Sequence, residues 1–327
     1  MKYKAYLVEE NDGKFSGSLK ELDIPSLDDG RVLIKVKYSS LNYKDALAAS
    51  GAKGVVRSYP FVPGVDVAGE IIESSSENFS VGDNVIATGY KMGMAEFGGF
   101  GEIVHLPEEW VVKSPKNFSS FEAMCYGTAG ITAAECVKKI TDKNVSNNLP
   151  VLVSGSTGGV GSVAVGLLSK LGYEVHAITG KPNESDLLKE IGATEIISRH
   201  DYMSEPTKPL DKGIYASGVD TVGGDILAKM ISMTSNQGVI SCCGNVGGAS
   251  FTTSVFPFIL RGVQLSGIDS AESPIEIKKE LWNLLSNSWA LDLSKQTKTV
   301  GIADIGSEID KILQGGQVGR VVIKHGD

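Results

Sequence analysis

Four glycines crowd one turn of the sequence, Gly155, Gly158, Gly159 and Gly161, within "VLVSGSTGGVGSVAVGLLSKLG". A backbone bare of side chains at this spacing admits a close neighbour, either a phosphate held by main-chain N–H groups or the flank of a packed helix. The flanking residues bear on that choice. Residues 150–154 form an apolar run of strand length, and Val160, Val163, Ala164, Leu167, Leu168 and Leu171 recur at the spacing of one helix face. Strand, glycine turn and helix (160–171) in this order are the setting in which helix N-terminal N–H groups and the helix dipole hold a dinucleotide pyrophosphate. Ser156 stands where a strict GxGxxG has its first glycine, and a small residue can still make that turn.

The next strand, 173–178, ends in Thr179-Gly180-Lys181. NAD-selective sites place Asp or Glu at this tip to bind the ribose 2′-hydroxyl. Here a hydroxyl and an ammonium stand instead, and Arg199 follows the apolar run "TEIIS". Such groups suit a 2′-phosphate through charge-assisted hydrogen bonds, so the expected cofactor is NADPH. The competing reading makes Lys181 and Arg199 ordinary solvated cations.

The elements that must position these residues fall into two textures. Residues 1 to about 115 carry short alternating segments such as "RVLIKVKYSS" and "DNVIATG" between Gly, Pro and Asp turns, a β-rich pattern. From about 119 helical and strand patterns alternate, as in a parallel α/β sheet, with helices expected at 183–191, 225–233 and Ile305–Leu313 and a closing strand "RVVIK". A chain of 327 residues suggests two domains. The formal charge of −8, with no dense basic run, argues against nucleic acid and anionic membranes as partners. Four cysteines without regular spacing argue for a reducing, cytoplasmic setting and against a disulfide scaffold. The charged, alternating "MKYKAYLVEE" reads as a strand and not as a secretory signal. The uncharged stretches 149–169 and 238–260 are rich in Gly, Ser and Thr and read as buried strands with their loops, not membrane spans.

Three further segments, "SSLNYKDALA" (39–48), "PGVDVAGEI" (63–71) and "GTAGITA" (127–133), join the glycine loop. Together they resemble the medium-chain dehydrogenase/reductase superfamily over essentially the whole chain. "GYEVHAITGK", "DTVGG" and "FPFILRGVQLSGIDS" resemble its YhdH/YhfP branch of quinone oxidoreductases, which includes acrylyl-CoA reductase. The resemblance implies an α/β fold: a GroES-like β-rich catalytic domain over 1–118, completed by 294–327, and a Rossmann domain with a doubly wound parallel sheet over 119–293. It implies a homodimer through a Rossmann edge strand. It also implies cofactor contacts at Tyr43, Thr128, Thr157, Gly158, Gly159, Val160, Thr179, Gly180, Lys181, Arg199, Asn245, Ile259 and Ser270. "QGGQVGR" departs from the branch by offering Gly315 where relatives present Asn, with Gln314 or Gln317 as substitutes.

Zinc-dependent members need a thiolate and an imidazole, and the corresponding positions hold Asn42 and Val65, with no cysteine before Cys125 for a structural zinc lobe. Without a Lewis acid the expected acceptor is one activated by conjugation: an enone, an enoyl thioester such as acrylyl-CoA, or a quinone. Hydride addition at the β-carbon places negative charge on the carbonyl oxygen, which then needs stabilisation, and the α-carbon needs a proton. Tyr43 is the candidate beside the chemistry, with Asn42 as an amide donor; the alternative for Tyr43 is a ring packed on the cofactor, with water delivering the proton. Asp45 and Asp66 read either as acids or as turn supports, and His105 as structural. A protein that binds NADPH without catalysis is the other class the sequence permits.

Overall fold

Val151, Leu152 and Val153 form a fully buried strand, as an uninterrupted apolar run requires when helices cover both faces of a sheet. The structure, a computed structural model, describes residues 1–145 and 148–326. It divides into two units, Met1–Thr128 with Ala271–Ser286 and Asp292–Asp327, and Ala129–Ser270 with Asn287–Leu291.

In the second unit six strands pair in parallel, in the spatial order Glu195–Ser198, Val175–Thr179, Val151–Val153, Ser217–Asp220, Val239–Cys242 and Gln264–Gly267. This is the doubly wound Rossmann order. Chain direction across the sheet reverses between Val151–Val153 and Ser217–Asp220, and the crevice outside such a switch point is where open α/β sheets bind ligands. Helix Gly159–Lys170 packs tightly on the glycine turn. A Cβ on Gly161 would lie 2.3 Å from the Gly155 carbonyl oxygen, so the third glycine serves close helix packing. The helices expected at 160–171 and 225–233 form at Gly159–Lys170 and Gly224–Met233. That expected at 183–191 is shorter, Ser185–Glu190, because Pro182 opens a 3-10 turn first.

The first unit holds a seven-stranded sheet and a separate hairpin of Lys2–Asn11 with Lys14–Asp23. Alternating Val32, Ile34 and Val36 pack with Val67, Ile71, Val85, Val104 and Leu106 in its core. The closing strand Arg320–Lys324 pairs antiparallel with Arg31–Ser40, matching Val322 to Ser40, and so carries Arg320 toward Leu41 and Asn42. One short helix, Tyr43–Ala49, interrupts this β-rich stretch, with Ala46, Ala48 and Ala49 buried. The division falls at Thr128/Ala129, where the sequence pattern puts it at 118/119. Helix Ser120–Asp142 starts in the first unit and breaks at Gly127 (φ 52°), and Thr128 is hydrogen-bonded to Asp66. Residues 271–286 also belong to the first unit, where the buried ammonium of Lys278 donates to the carbonyls of Thr88 (2.6 Å) and Ala271 (3.0 Å). Among the described residues no helix is long and apolar enough to cross a membrane.

Candidate functional site

In the first unit the candidate residues surround a buried polar cluster. The Asp66 carboxylate, fully buried, accepts from the Thr128 hydroxyl (2.5 Å) and N–H (2.9 Å), the Ser40 hydroxyl (2.5 Å) and the Asn42 amide (2.7 Å). Arg320, equally buried, donates to the Ser40 hydroxyl (2.8 Å), the Asn42 Oδ1 (3.3 Å) and the carbonyls of Leu41 (3.4 Å) and Cys125 (3.1 Å). Its Nη2 lies 4.0 Å from Asp66 Oδ2. Asp45 accepts from the N–H groups of Asn42 (2.7 Å) and Val65 (2.8 Å). Burial, reinforced by the Asp66 charge, pushes the Asp45 carboxyl up to about 7 against the pull of those donors. Gly127 is required here: a Cβ would lie 2.3 Å from Ser40 Oγ and 2.5 Å from Asp66 Oδ2.

This geometry changes the role of Asn42. The sequence offers it as an amide donor to a substrate, but its Nδ2 is committed to Asp66 and to Asp45 (3.3 Å), and its Oδ1 accepts from Arg320. At the N-terminal boundary of its helix Asn42 turns inward, and the next residue, Tyr43, turns outward with 42% of its surface exposed. Asp45 and Asp66 are supports of the Asn42–Tyr43 turn, both fully buried. His105 accepts from the Asp28 N–H (3.4 Å) and lies 3.5 Å from the Arg31 guanidinium, a structural setting. Val65 is buried and apolar, and among the described residues no group of three or more His, Cys, Asp or Glu is placed to hold a metal ion. The donor set at Asn42 and Val65 does not fit zinc.

In the second unit a cleft of about 750 Å³ opens at the carboxyl ends of the strands. Thr179, Gly180, Ser198, Arg199, Val222, Gly223 and Gly247 are among its lining residues. The volume falls within the range of small-molecule sites. The Arg199 guanidinium lies against Gly180: a Cβ there would sit 3.2 Å from Arg199 Cζ. Arg199 is exposed, and among the described residues no carboxylate pairs with it. The Thr179 hydroxyl accepts from the Lys181 N–H (2.9 Å) and lies 3.3 Å from the Thr157 hydroxyl, tying the strand tip to the glycine turn. Gly158 precedes helix Gly159–Lys170 with no side-chain cap, so the N–H groups of Gly159 and Val160 have no intrahelical acceptor. A guanidinium, hydroxyls and uncapped N–H groups fit a dinucleotide that carries an extra phosphate.

The other candidates are not themselves lining residues of the cleft. Asn245 is exposed in a turn that closes on Val222, where the Gly247 N–H donates to the Val222 carbonyl (2.8 Å). Ile259 is 69% exposed on helix Phe256–Arg261 and does not line the cleft. The Ser270 hydroxyl is buried and bonded to that of Thr132 (2.5 Å). Two residues stand out that sequence reasoning did not single out: Arg320, which ties together Ser40, Leu41, Asn42 and Cys125, and Asp220, whose buried carboxylate accepts from Ser154 and Gly223. "DTVGG" was the only signal for Asp220; Arg320 shows no more than a charge at the head of an apolar strand.

Residues 28–116 match the alcohol dehydrogenase GroES-like domain family, and residues 159–287 match the zinc-binding dehydrogenase family. YhfP of Bacillus subtilis is 40% identical over 325 residues, 98% of each chain. Its crystal structure with NAD bound superposes with a TM-score of 0.96, at 39% identity, over 99% of this chain and 100% of that one. Acrylyl-CoA reductase AcuI of Ruegeria pomeroyi is 38% identical over 317 residues, 96% of each chain. The YhdH oxidoreductase from Salmonella enterica, crystallised in complex with NADP, is 37% identical with a TM-score of 0.95, over 99% of this chain and 100% of that one.

Proposed function

Because this chain belongs to the medium-chain dehydrogenase/reductase superfamily, in the branch of YhfP, YhdH and AcuI, we propose that it is an NADPH-dependent oxidoreductase that reduces an activated carbon–carbon double bond. Acrylyl-CoA or a small enone is the acceptor. The observation that carries the reading is the carboxylate-free tip Thr179-Gly180-Lys181, with the Arg199 guanidinium resting on Gly180 inside the cleft. One relative is crystallised with NAD and another with NADP, so the cofactor assignment rests on this chain's own cations.

The bound dinucleotide supplies a hydride. Thr179, Lys181 and Arg199 hold the 2′-phosphate, and the N–H groups at Gly159 and Val160 hold the pyrophosphate. With the dinucleotide bound, Tyr43 would donate a hydrogen bond to the nicotinamide or to the acceptor's carbonyl oxygen, which gains negative charge on reduction. Asp45, Asp66 and Arg320 fix the Asn42–Tyr43 turn without touching the acceptor. The α-carbon takes its proton from water. Asn42 and Val65 supply no zinc ligands, so the reaction uses none.

Quinone reduction, after which part of the branch is named, is the second reading. NADPH oxidation measured side by side with acrylyl-CoA, a small enone and a simple quinone separates them. Turnover of the quinone orders of magnitude faster than the others overturns the first assignment, and tight NADPH binding with no turnover of any acceptor leaves a binding protein.

The same reading includes a homodimer. Gln264–Gly267 is an edge strand, and Val255 (63% exposed) and Leu260 (62%) stand near it in sequence with Leu265 on the strand itself. An open edge beside exposed apolar side chains is a template for pairing with a second copy. Light scattering should give twice the monomer mass, and Leu265→Lys should shift it toward one. The four cysteines are free thiols, in keeping with a cytoplasmic location.

A further inference from the structure

At the sheet's switch point two strand ends meet, and a single carboxylate joins them. Asp220 closes strand Ser217–Asp220 and is fully buried. Its Oδ1 accepts from the Ser154 hydroxyl (2.6 Å), across the gap from the strand that leads into the glycine turn, and from the Val222 N–H (3.2 Å). Its Oδ2 accepts from the Gly223 N–H (2.8 Å) and lies 3.8 Å from the Cys242 thiol. Ser154 in turn accepts from the Thr221 N–H (3.0 Å), and its carbonyl accepts from the Thr221 hydroxyl (2.9 Å).

Of the three segments gathered in this way, the Val222–Gly223 turn and the loop with Gly247 line the cleft, and the third is the glycine turn. Gly155 has φ 60° and a Cβ there would meet Thr221 Oγ1 at 2.2 Å, so the start of the glycine turn is moulded on Thr221. Val222 and Gly223 line the cleft directly. Gly223 and Gly224 both have positive φ, and a Cβ on Gly223 would meet the carbonyls of Gly248 (2.7 Å) and Gly244 (2.8 Å), which belong to the loop carrying Asn245 and Gly247. A buried carboxylate is costly unless its acceptor capacity is filled, and here donors from three different segments fill it. The Gly180–Arg199 end of the cleft makes no contact with Asp220 in this network.

We propose that Asp220 is a positioning residue for the dinucleotide: it sets the glycine turn, the Val222–Gly223 turn and the Gly244–Gly248 loop against one another, and so controls the fit of the central part of NADPH but not of its 2′-phosphate end. The inference rests on the NADPH reading above. The test is calorimetric binding of two probes to the full-length protein and to Asp220→Asn. One probe is NADPH. The other is adenosine 2′,5′-bisphosphate, which bears the 2′-phosphate but lacks the nicotinamide half.

Asn keeps one carbonyl acceptor and turns the other position into a donor facing the Gly223 N–H, so NADPH affinity should fall by about tenfold or more. Adenosine 2′,5′-bisphosphate should change by less than about threefold, a split that general loosening would not produce. Ser154→Ala, which removes one donor and leaves the carboxylate in place, should fall between wild type and Asp220→Asn, and it carries the test if Asp220→Asn does not fold. Equal loss for both probes, or unchanged NADPH affinity in the variant that folds, overturns the proposal. Failure of wild-type protein to bind either probe instead overturns the NADPH reading on which it stands.

Discussion

Replacing Arg320 by Met removes the guanidinium that lies against the buried Asp66 carboxylate while keeping a long apolar stem. Four hydrogen bonds disappear, to Ser40, Asn42, Leu41 and Cys125, together with the 4.0 Å approach to Asp66. Removing one partner of a buried charge cluster typically costs about 3–5 kcal/mol, because the remaining charge is left without compensation. For a unit of this size that corresponds to a fall in Tm of about 6–20 °C. Trp110 and Trp282, two of the three tryptophans, lie in the first unit, so fluorescence melting follows that unit. Arg320→Lys keeps the charge without the planar fork and should fall between the two. A Tm for Arg320→Met within about 2 °C of wild type would mean that the cluster is not held by this cation, and the structural account of the Asn42–Tyr43 turn would fail.

Further outcomes follow from the same contacts. The Asp45 carboxyl is raised to about 7 in the folded protein from 3.8, so between these values the folded chain holds a proton that the unfolded chain has lost. Its contribution to stability therefore falls as pH rises from about 4 to 7 and is flat above; Asp45→Asn should remove that slope in pH-dependent urea unfolding, and an unchanged slope contradicts the assignment. Tyr43→Phe should leave Tm unchanged, because the ring is 42% exposed, yet lower kcat/KM by about tenfold or more; an unchanged kcat/KM reduces Tyr43 to a packing surface. Gly161→Ala would press a methyl to 2.3 Å from the Gly155 carbonyl and should abolish NADPH binding or folding, whereas Gly158→Ala, with its nearest neighbour at 3.2 Å, should be far milder in a binding titration.

Much of this molecule is legible from residues alone, for a definite physical reason. The second unit is built from local signals: an apolar strand, a glycine turn and a helix face recurring at 3.6 residues are each complete within a dozen positions, and Gly159–Lys170 forms where they say. The strand tip is similarly local, since the absence of Asp or Glu at Thr179–Lys181 is a fact of composition. What escapes is assembled from distant segments. Arg320 reaches Ser40 only because the last strand pairs with Arg31–Ser40, and no periodicity encodes that register. Asn42 illustrates the same limit: its type suggests an available amide, while the fold turns that amide inward onto Asp66. Gly127, which looks like any glycine in an apolar helix, is the break that lets Thr128 cap a buried carboxylate.

The central claim is that this chain's cations at the tip of the second parallel strand choose the phosphorylated cofactor. Calorimetric Kd values for NADPH and NADH, taken on wild type and on Lys181→Gln/Arg199→Gln, test it most directly. The account predicts that wild type prefers NADPH, that the double variant loses about tenfold or more on NADPH, and that NADH changes by less than about threefold. Equal wild-type affinities, or equal losses for the two nucleotides, would contradict it.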